Sequence, residues 1–242
     1  MKGLQAGKGY AFTIHHDGSP YGLKNQKWFF KTAPATATEP IEFVTGGDMY
    51  DKRPELDAMN LQAGYESPLF ALLGGDLAYA NGKDANRWYE WVDSWSNFAV
   101  TQDDYLIPMI TVIGNHECAE NLNDIINDSA KLSAWDPRQT AKFYFSLFPL
   151  PEDTTNFVID FADYMSIVCL DSYHTQKPED QTEWLEKTLQ TRSGVPNLFA
   201  CYHRPGFGTQ VKDDIKTVRE QWAPLFERYG VDAAFENDHH IY

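Results

Sequence analysis

A chain of 242 residues with 43% hydrophobic content can bury a substantial core, and one large α/β domain fits it as well as two small ones. Its formal charge of −15 at pH 7 argues against nonspecific binding to nucleic acid or to an anionic membrane surface, and no run of about 18 apolar residues is present to span a bilayer. A protein this acidic that handles anionic substrates needs local positive charge, which bound metal ions can supply.

Residues 1–7 are followed by no apolar h-region and do not read as a signal peptide. Residues 10–15 and 27–31 read as strands, separated by turn chemistry at Asp17-Gly18-Ser19-Pro20. Two strands make a poor domain alone, so residues 1–34 read as the end of a β-sandwich whose earlier strands lie outside this sequence. The small, proline-punctuated stretch 35–40 reads as a linker.

From residue 41 the pattern becomes βα. The strand 41–45 runs through Gly46-Gly47 into Asp48 and is followed by a helix over 54–65, with Pro54 at a plausible first turn. Leu69-Phe70-Ala71-Leu72-Leu73 lies between Pro68 and a glycine pair and reads as a strand buried on both faces. It delivers Asp76, with Tyr79 three residues on. A helix over 86–100 carries Trp88, Trp91, Val92, Trp95 and Phe98 at helical spacing, which is core packing. The strand 110–113 ends in Gly114-Asn115-His116-Glu117, and residues 119–142 read as loop and short helix.

A hairpin is expected over 157–161 and 165–170, turning at Ala162-Asp163, and a helix over 181–191. The strand 197–202 then ends in His203. A further helix over 218–229 precedes the strand 231–235, which runs into Glu236-Asn237-Asp238-His239-His240. Cys118, Cys169 and Cys201 show no C-x-x-C spacing; Cys169 and Cys201 sit in apolar strands and read as buried thiols.

Singly, each strand-end residue has an ordinary explanation. Asp48 can shape its own turn, Tyr79 can pack, Asn115 can cap a helix and His203 can be a satisfied core histidine. Five strands that all offer oxygen or imidazole groups at their C-terminal ends, the edge where α/β sheets bind ligands, point instead to a shared site.

In this order, Gly47-Asp48, Gly75-Asp76-Leu77-Ala78-Tyr79, Gly114-Asn115-His116-Glu117, Tyr202-His203 and Asp238-His239-His240-Ile241-Tyr242 resemble the five blocks of calcineurin-like metallophosphoesterases. The tyrosine three after the second aspartate makes the chain most similar to the purple acid phosphatase branch. The resemblance covers residues 41–242. It implies an α/β fold in which a metallophosphoesterase β-sandwich is flanked by helices (four layers, αββα), truncated at its C-terminus. It also makes residues 1–34 the remnant of a fibronectin type III-like domain.

By the same resemblance Asp76 bridges two metals, with Asp48, Tyr79 and His240 completing the first site and Asn115 and His203 most of the second. Carboxylate, phenolate, amide and imidazole groups suit Fe paired with Zn, Mn or Fe. The implied activity is phosphomonoester or phosphodiester hydrolysis, by in-line attack of a metal-bridging hydroxide. His116 is the expected proton donor to the leaving oxygen, and Arg204 either grips a phosphate oxygen or forms a surface ion pair.

Two positions depart from the family pattern. Tyr50 replaces the glycine of Gly-Asp-x-Gly. Asp238 stands where the last block has its first histidine, so either Asp238 or His239 completes the second site, with Asp238 preferred. Plant-type relatives carry further substrate histidines after the His203 block, whereas residues 205–230 contain none, so a monoester preference does not transfer. A non-catalytic metal- or phosphate-binding member of the fold is the alternative. Relatives with the β-sandwich domain are mostly exported, which implies an extracellular or periplasmic location.

Overall fold

Apolar runs punctuated by glycine and proline become strands close to where the sequence places them, and they sort into separate sheets. The computed structural model describes residues 3–20, 27–50, 52–208 and 216–240. Strand β1 (Gly9–Phe12) is followed by the two-residue arms β2 (His15–His16) and β3 (Ser19–Pro20), and then by β4 (Trp28–Lys31). Asp17 and Gly18 both have positive φ, as a two-residue hairpin turn requires. β1 and β4 pair antiparallel, stacking Tyr10 on Phe30 and Phe12 on Trp28.

Strand β5 (Phe43–Gly46) leads into helix α1 (Arg53–Glu66), which takes Pro54 in its first turn because a missing amide costs nothing there. Strand β6 (Phe70–Leu73), helix α2 (Ala85–Phe98, capped by Asp84) and strand β7 (Met109–Thr111) follow. β5, β6 and β7 form a parallel sheet in that order. Every residue of β6 is buried, as its continuous apolar run predicts.

Residues 119–142 hold three short helices, α3 (Leu122–Ile125), α4 (Ser129–Ala134) and α5 (Pro137–Thr140), and α6 (Lys142–Leu147) begins at the end of that stretch. Asp128 and Asp136 cap α4 and α5. Strands β8 (Phe157–Phe161) and β9 (Met165–Cys169) form the expected hairpin. Helix α7 (Pro178–Gln190), strand β10 (Leu198–Cys201), helix α8 (Ala223–Tyr229) and strand β11 (Ala233–Phe235) complete the chain. The second sheet has the order β11-β10-β9-β8, with β8 antiparallel and the others parallel.

The predicted helix over 218–229 is not uniform. Pro224 cannot donate to the carbonyl of Glu220, and the chain widens into a π turn over Val218–Trp222 before α8.

The two sheets share one apolar cluster. Phe70, Leu72 and Val112 pack with Phe157, Ile167, Cys169 and Cys201, and Phe43 stacks on Phe70 at 5.0 Å. On the other face of the first sheet, Ala71 and Leu73 meet Leu56 of α1 and Trp88, Trp91 and Trp95 of α2. Val92, expected in that tryptophan stripe, is exposed. Val168, Leu198 and Ala200 of the second sheet pack against Leu185 and Leu189 of α7 and Phe226 of α8. All three cysteines are free and buried.

Because Leu72 is fully buried in the cluster that joins the sheets, Leu72→Ala should destabilise the protein by about 2–5 kcal/mol. Urea unfolding against the parent chain measures this, and a loss below about 1 kcal/mol would mean that the two sheets are not stabilised through this contact.

Candidate metal centre

The strand-end residues converge although they hang from two different sheets. After β6, Gly75 adopts φ +92°, and a side chain there would run into the backbone of Gly114. Gly114 has no room for a Cβ because Asp76 occupies that space with its carboxylate and amide. These two close approaches bring the loops after β6 and β7 into contact. Asp48 N–H donates to Gly75 O (3.0 Å), Asn237 N–H to His203 O (2.9 Å) and Asp238 N–H to Asp48 Oδ2 (3.0 Å). Five loops are thereby stitched together at one rim.

Two groups of ligand-type atoms result. In the first, Asp48 Oδ1 lies 3.0 Å from His240 Nε2 and 3.3 Å from Tyr79 Oη, and Tyr79 Oη lies 3.0 Å from His240 Nε2. In the second, His203 Nε2 is surrounded by Asn115 Oδ1 at 3.1 Å and by Asp76 Oδ2 and Asp238 Oδ1, each at 3.4 Å. Asp48, Asp76 and His203 each offer one atom within 4.8 Å of the others, which links the groups. His203 Nδ1 bonds the carbonyl of Gly74 at 2.7 Å, so the ring is oriented with Nε2 facing the oxygens.

The electrostatics describe a pocket short of positive charge. Burial raises the Asp48 carboxyl above its ordinary range, and the nearby charge of Asp76 adds to this. Burial alone would also raise Asp76, but His203 and His116 pull it below that range. Burial and the charges of Asp48 and Asp76 push the Tyr79 phenol far up. Burial disfavours a charged His203, yet Asp76, Asp238 and Asp48 together hold its imidazole well above the usual value. Three oxygens therefore crowd around the His203 imidazole and favour its protonated form. That donor set suits a hard or borderline cation.

The nine residues singled out from sequence all lie at or beside this rim. Asp238, not His239, offers an oxygen to the His203 group; both ring nitrogens of His239 are buried without a hydrogen-bond partner. His116 stacks on the Tyr79 ring (centroids 4.2 Å apart), bonds Asn81 through Nδ1 and places Nε2 3.7 Å from Asp76 Oδ2. The Arg204 amide bonds Ser172 Oγ, and its guanidinium takes part in no hydrogen bond or ion pair with the described residues. Tyr242 lies outside the described residues.

A family model for calcineurin-like phosphoesterases matches residues 39–241. The chain belongs to that family.

Among curated proteins, this calcineurin-like phosphoesterase is 27% identical over 231 residues to a purple acid phosphatase of Glycine max, covering 91% of this chain and 47% of that protein. It is 25% identical over 274 residues to an uncharacterised protein of Mycobacterium tuberculosis, covering 96% and 47%. The chain thus spans about half the length of the curated relatives it matches. Among solved structures it resembles GAP50, the anchor in the inner membrane complex of Plasmodium, with a TM-score of 0.53, 13% identity and coverage of 80% and 64%; at that identity the likeness concerns the fold alone.

Glu117, the last residue of the Gly114-Asn115-His116-Glu117 stretch, supports the rim from behind. Glu117 is fully buried and accepts the amides of Asp76, Leu77 and Gly114, each at 2.8 Å. Burial and the neighbouring Asp76 push its carboxyl up to about 7. Its signal in the sequence is only its place after Asn115-His116, since nothing local says that it points inward.

A cation entering the His203 group competes with protons there. Because the surrounding carboxylates raise the His203 imidazole, binding of Mn²⁺ or Zn²⁺ at pH 7 should release protons and weaken as the pH is lowered. Calorimetry in buffers of different ionisation enthalpy reads this directly. Binding heats that do not depend on the buffer would exclude it.

Proposed function

We propose that this calcineurin-like phosphoesterase is a dinuclear metal-dependent phosphoester hydrolase of the purple acid phosphatase type. The observation that carries the proposal is the convergence of Asp48, Asp76, Tyr79, Asn115, His203, Asp238 and His240, from two sheets, around one acidic pocket. On this reading Asp48, Tyr79 and His240 would hold one cation and Asn115, His203 and Asp238 the other, with Asp76 available to both. Iron paired with zinc, manganese or a second iron, once bound, would acidify a shared water and neutralise phosphoryl charge.

The chain's own residues divide the remaining work. Glu117 grips the amides around Asp76 and fixes the Asp76 carboxylate. His116, held between the Tyr79 ring and Asn81 and one-third exposed, delivers a proton to the leaving oxygen. The guanidinium of Arg204, whose charge joins that of His203 in lowering the Asp238 carboxyl against its burial, binds a phosphate oxygen. The same reading makes the two packed sheets and their helices the αββα stack of the family, with residues 1–34 left from a fibronectin type III-like domain and residues 35–40 as linker. An extracellular or periplasmic location belongs to the proposal too.

Elemental analysis, with hydrolysis of p-nitrophenyl phosphate and its bis-ester, tests the function. Two metals per chain and metal-dependent turnover are expected, and Asp76→Ala should lose both metals and on the order of 10³-fold in rate. Metal or phosphate binding without turnover would make the protein a binding member of the fold instead. Purple colour that disappears in Tyr79→Phe would identify a ferric first site, and a colourless active enzyme would remove that detail.

The role of His116 has its own signature. His116→Ala should slow an alkyl phosphate about 10²–10⁴-fold but p-nitrophenyl phosphate far less, because p-nitrophenolate leaves without a proton. Equal losses on both esters would assign His116 to binding rather than to proton transfer.

A further inference from the structure

Asn115 follows a strand of the first sheet and His203 follows a strand of the second, yet their polar atoms meet at 3.1 Å. A chain of hydrogen bonds behind them joins the two loops. Arg204 N–H donates to Ser172 Oγ (2.7 Å), the Ser172 hydroxyl to His174 Nε2 (3.3 Å), His174 Nδ1–H to Asn121 Oδ1 (3.0 Å) and Asn121 Nδ2–H to the Asn115 carbonyl (3.4 Å). Ser172 and His174 are fully buried and Asn121 nearly so.

Every link is satisfied only with a proton on Nδ1. With the proton on Nε2, the Ser172 oxygen would receive two donors and its own hydroxyl would lose its acceptor, while Nδ1 would face the Asn121 carbonyl lone pair to lone pair. Rotating the Asn121 amide would only move that clash to Asn115. His174 is also fixed from below. The Asp171 carboxylate accepts the amides of His174 (2.7 Å) and Thr175 (2.9 Å), and Leu122 N–H donates to His174 O (3.0 Å). Burial first, and then the charges of Arg204 and His203, keep the imidazole neutral. Its ring centroid lies 5.5 Å from that of His203.

We propose that His174, donating through Nδ1–H, is a positioning residue that ties the Asn115 loop to the His203–Arg204 loop and so sets the second group of metal ligands. This rests on the metal-dependent reading above and adds a residue that no strand-end pattern contains.

The first test is the ¹⁵N imidazole spectrum of the metal-free protein, with His174 assigned by mutation. A ring protonated at Nδ1 supports the proposal, and a ring protonated at Nε2 alone overturns it. The second test compares His174→Phe with His174→Gln. Phenylalanine fills the volume without hydrogen bonds, whereas glutamine can still accept from Ser172 and donate to Asn121.

With melting and circular dichroism showing retained folds, His174→Phe should weaken one of the two Mn²⁺ sites by about 10–100-fold and raise KM for p-nitrophenyl phosphate, and His174→Gln should recover most of both. Unchanged metal titrations in both variants, or equal losses in both, would overturn the proposal. If His174→Phe does not fold, Ser172→Ala breaks the same chain at its Arg204 end while keeping the imidazole in place, and the same shift in one Mn²⁺ site is then required. Failure of the parent protein to bind two metals or to hydrolyse the ester would defeat the functional reading; a competent parent with an indifferent His174→Phe would defeat only this inference.

Discussion

Like charge held close together away from water is the constraint that the rest of the molecule answers. Asp48, Asp76, Asp238 and Glu117 crowd one pocket, and the buried His203 imidazole, its basicity raised by them, lies among them. Glu117 is compensated by three backbone amides. The others are compensated only in part, which is costly unless a cation enters. The stability of the empty pocket and its affinity for metal are therefore two views of the same electrostatics.

The backbone around the pocket is strained as well. Asp48, Asp76, Tyr79, Asp238 and His240 all adopt the left-handed region that L-residues avoid, at a cost on the order of 1 kcal/mol each. Such conformations persist only where the surroundings over-determine them. Here the two sheets provide that, because their shared apolar cluster fixes the strand ends and the loop-to-loop amide bonds leave the turns little freedom.

Tyr50, where the family pattern has a glycine, is accommodated by the same logic. Its side chain is buried and its hydroxyl bonds Glu90, while the Arg87 guanidinium stacks on the ring at 3.9 Å. Arg87 also donates to the carbonyls of Tyr50 and Ala78, tying the Asp48 loop to the loop that carries Tyr79. A position that loses glycine's freedom gains a clamp between two ligand-bearing loops.

Local chemistry determined much of this protein without help from the fold. The apolar runs before Asp76 and His203 could only be buried strands, Pro54 marked the first turn of a helix, and the order of the strand-end residues carried the family. Other features depend on contacts between residues remote in sequence, which no local pattern encodes. The division of the strands into two sheets, the π turn ahead of α8 and the inward placement of Glu117 belong to that class. So does the placement of Asp238 against His203 while the His239 ring turns elsewhere, because neighbouring residues on one turn differ only in which way the assembled rim lets them point. Tertiary structure alone decided that Asp171, Ser172, His174 and Asn121 form a buried polar bridge, since each is an ordinary loop residue until packing removes the water that would otherwise satisfy it.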